Sequence, residues 1–340
     1  MATIKEIAEL AGVSRGTVDR VLNNRGMVNP DTARKVKEIA DALNYKPNRA
    51  ALILSAQKKK LKLGVILFGT TNPFFDEVII GINEKKKELE GYNCDIEVKC
   101  IPMGIDEQLE AINSLVEQGV NGIALAPYNN KRIANKINEL YNMGIPVVTL
   151  NTDIENSKRI AYVGSNYNLS GKTAAGLMNI ITHGKVNVGI VSGSENVMCH
   201  SQRIEGFKEC IKNNYPHINI VETIYNNDDD IQSFELTSKL LKNEDINALF
   251  FVAGGVYGGC RAVISCNKED HITSIAFDSV PTTREMIEKG LIKATICQQP
   301  KLQGSKPLDI LFSYLSTGEL PKEECNYVSV DICIKENINI

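Results

Sequence analysis

Three guanidinium groups crowd one short stretch of this chain. In AGVSRGTVDRVLNNRG, residues 11–26, Arg15, Arg20 and Arg25 fall close together with an acid, Asp19, among them. An arginine presents a planar fork of donors suited to phosphate oxygens and to the O6/N7 edge of guanine. The surrounding charge fits that chemistry. Residues 1–60 hold 12 Lys+Arg and 6 Asp+Glu, which leaves 26 and 35 for the remainder of a chain whose formal net charge is −3. A head of net charge +6 therefore precedes a body of −9. Basic segments of this kind gain affinity for nucleic acid by displacing counterions from phosphate, although a solvated basic surface gives the same count.

Other chemistries find little support. No G-x-S-x-G, H-E-x-x-H or Walker sequence occurs, and none of His183, His200, His217 and His271 stands in a nucleophile setting. Neither catalysis nor a cofactor is expected. The nine cysteines are odd in number, form no C-x-x-C and sit mostly in apolar surroundings. That reads as reduced core thiols, not as a disulfide framework or a zinc site. His200 beside Cys199 is a single weak pair. No apolar run approaches the roughly 18 residues of a membrane span. MATIKEIAEL lacks the layout of a signal peptide, so cytosolic residence is expected. With 340 residues, 43% of them apolar, the chain can build two or three globular units.

The elements that must position these residues are legible as patterns. In the head, Ile4, Ile7, Ala8 and Ala11 recur at helical spacing before Gly12. Ser14 is a plausible N-cap for a second helix, RGTVDRVLN, with Val18, Val21 and Leu22 inward. Asn29 and Pro30 open a third, with Val36, Ile39, Ala40 and Leu43 as its stripe. Two short helices joined by the turn at Gly12–Ser14 make a helix-turn-helix. After Pro47, Asn48 can cap a short helix through Leu54, too short to be stable alone in water. From residue 62, strand-like runs alternate with amphipathic stretches, the pattern of parallel sheets with crossover helices. Ten such runs, LKLGVILF to KATICQQ, exceed what one such sheet usually holds, so two doubly wound lobes are expected, and a final strand NYVSVDICI follows a helix at 301–316. The expected division is 1–46 for the helix-turn-helix, 47–61 for a hinge helix and linker, and 62–340 for the body. Within the body, one lobe takes 62–166 with 299–325, and the other 167–298 with 326–340.

MATIKEIAELAGVSRGTVDRVLN followed by VNPDTARKVKEIADALNYKPN resembles the head of the lactose-repressor (LacI) family of bacterial transcription regulators. TTNPFFDEVIIGI, RIEGF, AFDSVP and ATICQQP, in that order, resemble the family's periplasmic-type sugar-binding body, with a ribose-binding flavour. In that family the second helix enters the major groove and the start of it reads bases. The resemblance puts Arg15, Gly16 and Arg20 at those positions, Ser14 and Thr17 at phosphate, and Arg25, beyond the helix, at phosphate as well. Residues 48–55, with Asn48 as cap, match the hinge helix, and Leu54 stands where the family wedges a leucine into the minor groove. Asp19 departs from the family, which usually carries a small donor there. It could pair with Arg15 one turn earlier, or accept from cytosine N4.

For the body, the resemblance implies an effector cleft between the lobes, at the carboxyl ends of the strands. Asn72 would hydrogen-bond a sugar and Phe74 and Phe75 would sandwich its ring. Arg203, Asp278, Gln298 and Asn151 would engage hydroxyls. Thr152 and Gly254 stand where ribose binders carry other residues, so the pocket is expected not to suit ribose and to be larger. The glycines Gly254 and Gly255 ahead of a helix could also cradle a phosphate, though such glycines usually make a tight bend. The expected function is a homodimeric, ligand-responsive regulator, most simply a repressor, of carbohydrate uptake or metabolism genes. It would bind a palindromic DNA operator and a sugar, polyol or sugar phosphate. A transport-type binding protein would share the body but not the basic head. The tail ICIKENINI has no leucine heptad, so no tail-built tetramer is expected.

Overall fold

The computed structural model describes residues 2–22, 28–43, 45, 60–69 and 72–338. The chain divides into two compact units, 1–59 with 313–319 and 60–312 with 320–340.

Among the described residues of the head are the helices α1 (Ile4–Ala11), α2 (Arg15–Leu22) and α3 (Pro30–Ala42). Each boundary has a local cause. Thr3 and Glu6 form a reciprocal capping box at the start of α1, and Gly12, at φ 70°, ends it with its N–H on the Ala8 and Glu9 carbonyls. Ser14 Oγ accepts from the Thr17 amide at 3.1 Å, which starts α2; such a cap is worth about 1 kcal/mol. Asn29 accepts from the Asp31 amide ahead of Pro30. Ile7, Ala8, Ala11, Val18, Val21, Val36 and Ala40 close over one core, with Leu22 and Ile39 partly buried against it. Leu43, expected inside, is exposed: it falls just past α3, at the C-cap. Arg25, Asn48 and Leu54, with most of the hinge segment, lie outside the described residues.

The body carries two six-stranded sheets. The first sheet is built from β1 (Leu61–Phe68), β2 (Cys94–Ile101), β3 (Gly122–Leu125), β4 (Val147–Leu150) and β5 (Ala161–Gly164), with the later β11 (Cys325–Tyr327). The second takes β6 (Val186–Ser192), β7 (Ile218–Tyr225), β8 (Ala248–Phe251), β9 (Thr273–Phe277) and β10 (Ile292–Cys297), with β12 (Asp331–Cys333). Their orders are β11-β5-β4-β3-β1-β2 and β12-β10-β9-β8-β6-β7. All pairings are parallel except β10 with β12. Helices cover the strands, which is why β3, β4, β5 and β8 are buried along their whole length and read as mainly apolar runs, with Thr149 of β4 the polar exception. The run NYVSVDICI is not one strand. It supplies the end of β11 to one sheet and β12 to the other, because the chain crosses between lobes in 328–330. Two other crossings follow β5 and β10, so three segments join the lobes.

Candidate functional site

A cleft between the two sheets is lined from both sides. Phe68, Gly69, Asn72, Phe74, Phe75, Met103 and Asn151 come from one lobe; Val197, Cys199, His200, Arg203, Asp228, Ala253, Gly254 and Asp278 come from the other, with Gln298 at a crossing. Eight of the nine body residues singled out in the sequence therefore meet at one place. Thr152 does not. It is wholly buried with its hydroxyl unpartnered, because the left-handed backbone at Asn151, φ 61°, turns the following residue away from the cleft.

Asn72 Oδ1 accepts from the Phe74 amide at 3.0 Å, just ahead of the helix Phe74–Glu90, leaving its NH2 group to donate elsewhere. Phe74 and Phe75 meet edge to face, with centroids 5.5 Å apart and planes at 80°. They cannot sandwich a ring between them, as the sequence had suggested, since no gap separates them. They form adjoining apolar walls, with Phe75 also packed edge-on against Phe68.

Arg203 is a buried cation of the cleft, 3% exposed. Its guanidinium carbon lies 3.8 Å from the Phe277 ring centroid and 4.8 Å from that of Tyr167. One terminal nitrogen donates to the Val252 carbonyl at 2.6 Å, while Nε has no partner. A buried donor without a partner carries a substantial penalty, which a hydroxyl oxygen could relieve. Its helix, Met198–Asn214, is held by two glycines. A Cβ on Gly171 would sit 2.0 Å from the Arg203 carbonyl oxygen, and one on Gly206 the same distance from that of Asn168. Only glycine allows the helices Tyr167–Ile181 and Met198–Asn214 to approach so closely.

Asp278 follows β9 at φ 65° and accepts from Gln298 Nε2 at 2.8 Å. Burial raises its pKa above the ordinary carboxylate range, and Arg203 and the Gln298 hydrogen bond pull it part of the way back. Gln298 Oε1 accepts from Ser165 Oγ at 3.2 Å, joining two of the three crossings. Asn151, meanwhile, donates to Gln303 Oε1 at 3.3 Å, and Gln303 donates to the Gln298 carbonyl at 2.6 Å. The hydroxyl of Tyr167 donates to the Asn151 carbonyl.

The expected widening at Gly254 is absent, because a residue remote in sequence fills it. A Cβ on Gly254 would lie 2.8 Å from Asp228 Oδ1. That oxygen accepts from the Gly254 amide at 2.7 Å. Gly255 adopts φ 83°, so these glycines serve a tight bend. His200, read only as a weak pair with Cys199, also faces the cleft. Its Nδ1 lies 3.1 Å from both the nitrogen and the carbonyl oxygen of Ser194. A Cβ on Gly193 would lie 2.6 Å from His200 Cε1 and 2.7 Å from either Asp228 oxygen, so imidazole and carboxylate converge there.

In the first unit, Ser14, Arg15, Gly16 and Arg20 are exposed, while Thr17 and Asp19 are half-buried. Arg20 Nε donates to the Gly16 carbonyl at 3.1 Å, and Ser14 Oγ lies 3.0 Å from Thr17 Oγ1. A Cβ on Gly16 would meet nothing nearer than Ser14 Oγ at 3.8 Å, so packing does not require glycine there. Asp19 stands near Tyr45, whose pKa is raised by burial and then by this carboxylate.

Residues 3–48 match the model of bacterial regulatory proteins of the lacI family, and residues 63–320 match a periplasmic binding protein domain. The chain is 30% identical over 254 residues to catabolite control protein A of Priestia megaterium, covering 74% of this chain and 73% of the relative. It is 30% identical over 288 residues to the probable HTH-type transcriptional repressor ExuR of Bacillus subtilis (strain 168), covering 82% of each. Among solved structures it is similar to GanP, a glucose-galactose binding protein from Geobacillus stearothermophilus. That match has a TM-score of 0.77, 26% identity, and covers 83% of this chain and 100% of that one.

Proposed function

Because the chain belongs to the lacI family of bacterial regulatory proteins, we propose that it is a repressor of carbohydrate uptake or metabolism genes, released from or recruited to its operator by a carbohydrate-like effector. It is a DNA-binding regulator and not an enzyme. The observation that carries the reading is the presence, in one chain, of a helix-turn-helix and a two-sheet body whose cleft gathers Asn72, Arg203, Asp278 and Gln298 beside two phenylalanines. Carboxylate, amide and guanidinium groups match hydroxyls, and aromatic walls match the C–H face of a sugar.

On this reading Arg15 and Arg20 read base edges from α2, Ser14 and Thr17 hold phosphate, and Gly16 lets the DNA approach the helix backbone closely. Arg25 and Asn48 add backbone contacts, and Leu54 of each protomer in a homodimer wedges the minor groove at the dyad of a palindrome. The effector acts on the lobes. A ligand that contacts Asn72 on one lobe and Arg203 and Asp278 on the other favours one relative position of the lobes over others. Their relative position then differs between bound and free states, and that difference biases operator affinity. No helix among the described residues is long and apolar enough to cross a membrane, and a cytoplasmic site of action accords with an operator target.

The test is fluorescence anisotropy of the full chain on the palindromic sequence beside its own gene and on a shuffled duplex. Preference for the palindrome that survives physiological salt is the expected result. Equal affinity for both duplexes overturns the reading.

A further inference from the structure

We propose that the effector is an uncharged polyhydroxylated molecule, and that Asp228 is the residue that selects it over anionic derivatives of the same sugar. The proposal rests on the reading of the cleft as the effector site. It answers what the two adjacent glycines at 254 and 255 do.

A strand-to-helix turn with bare glycines is where phosphate commonly binds, held by amides at the start of the helix. Here two of the amides that flank the turn are already answered by carboxylates of the protein. Asp228 Oδ1 accepts from the Gly254 amide at 2.7 Å, and Asp230 Oδ1 accepts from the Gly258 amide at 2.9 Å, at the start of the helix Val256–Ser265. A phosphate brought to this turn meets the negative charges of Asp228 and Asp230 beside it.

The cations of the cleft are matched as well. Arg203 faces Asp278, and His200 converges with Asp228 at Gly193. Among the described residues these four are the charged side chains of the inner cleft, and its outer parts add three acids, Asp76, Glu77 and Asp230, and one cation, Arg284. Acids outnumber cations around the cleft, so no surplus positive charge awaits an anion. What the cleft does offer is matched to hydroxyls: two carboxylates that accept, and the buried, unpartnered Nε of Arg203 that donates. Like charges brought together in a desolvated site are strongly disfavoured, on the order of a hundredfold in affinity or more.

Asp228→Asn is a clean probe. The backbone there is left-handed, φ 59°, which asparagine tolerates. The amide oxygen can still accept from Gly254, so the turn is kept while the charge is removed.

The experiment is calorimetric titration of the full-length protein and its Asp228→Asn variant. The neutral probes are D-ribose, D-xylose, D-glucose, D-galactose, xylitol and sorbitol. The anionic probes are ribose 5-phosphate, glucose 6-phosphate and D-glucuronate. The expected result is that a neutral probe binds the native protein on the order of a hundredfold more tightly than its anionic derivative. Asp228→Asn, folded and still binding the operator, should cut that ratio at least tenfold. An anionic probe that binds the native protein as tightly as its neutral parent overturns the proposal and leaves the cleft as effector site. So does a ratio unchanged by the substitution. If operator binding is intact but no probe of either series binds either protein, the cleft reading itself falls, and this proposal with it.

Discussion

Gln298 Nε2 donates to Asp278 Oδ1 at 2.8 Å while Gln298 Oε1 accepts from Ser165 Oγ at 3.2 Å. Gln298 lies on the crossing after β10, and Ser165 on the crossing after β5. One buried amide thus connects a carboxylate of the cleft to two of the segments on which the lobes must pivot. A hydroxyl that binds Asp278 competes for the oxygen that Gln298 holds, so ligand and hinge are coupled through a single side chain.

Gln298→Ala should therefore weaken the effector response more than operator binding. Loss of one hydrogen bond to a charged acceptor is worth about 1.5–3 kcal/mol. Effector affinity by calorimetry should fall roughly tenfold or more, while operator affinity without effector stays near native. A variant that binds effector normally and responds normally would show that the contact is incidental.

Gly16→Ala separates reading from folding. Alanine is better than glycine inside a helix by roughly 0.5–1 kcal/mol, and a Cβ here meets only Ser14 Oγ at 3.8 Å. The melting temperature should hold or rise. Operator affinity should nevertheless drop, and filter binding with base-substituted duplexes should place the loss at the bases under the start of α2. Unchanged affinity would mean that the DNA does not approach the helix at this residue.

Asp19→Ser addresses the acid among the arginines. If Asp19 orients Arg15, removing its charge should strengthen non-specific binding and steepen the salt dependence of affinity by about one phosphate equivalent. If it reads cytosine, preference should relax at one operator position. A variant indistinguishable from native in both salt slope and base preference would mean that Asp19 neither orients Arg15 nor reads a base.

The fold was legible because its cause is local. Strands covered on both faces must be largely apolar, so β3 and β8 announce themselves, and caps such as Ser14 and Asn29 act within two or three residues. What stayed hidden depends on distant partners. Asp228 fills the space at Gly254 from 26 residues away. Gln303, wholly buried, links Asn151 to Gln298 from a helix that carries no sequence mark of that role. The two halves of NYVSVDICI look like one strand because a crossing between sheets leaves no compositional trace. Gly171 and Gly206 did carry a signal, since glycines inside two amphipathic helices imply close packing.

His200 supplies a pH test. Burial alone would pull its pKa down, but Cys199 and Asp228 outweigh that and push it up to about 9. An unfolded histidine titrates near 6.5, so between about 6.5 and about 9 the folded body holds a proton that the unfolded chain has released. The stabilisation is fully present below the lower value and is lost as pH rises through the upper one. Melting temperatures measured across this window should fall with pH, and His200→Gln should flatten the fall. The same slope in both proteins would assign it to other groups.

The most direct measurement is operator affinity of the full-length protein with and without a saturating carbohydrate that calorimetry shows to bind, repeated with Arg203→Lys. The native protein should bind the palindrome specifically and change its affinity by roughly 5–150-fold when the effector is added. Arg203→Lys, which keeps the charge but loses the fork, should bind the palindrome normally and fail to respond at the same concentration. A native protein whose affinity for the palindrome is the same with and without bound carbohydrate would contradict the account.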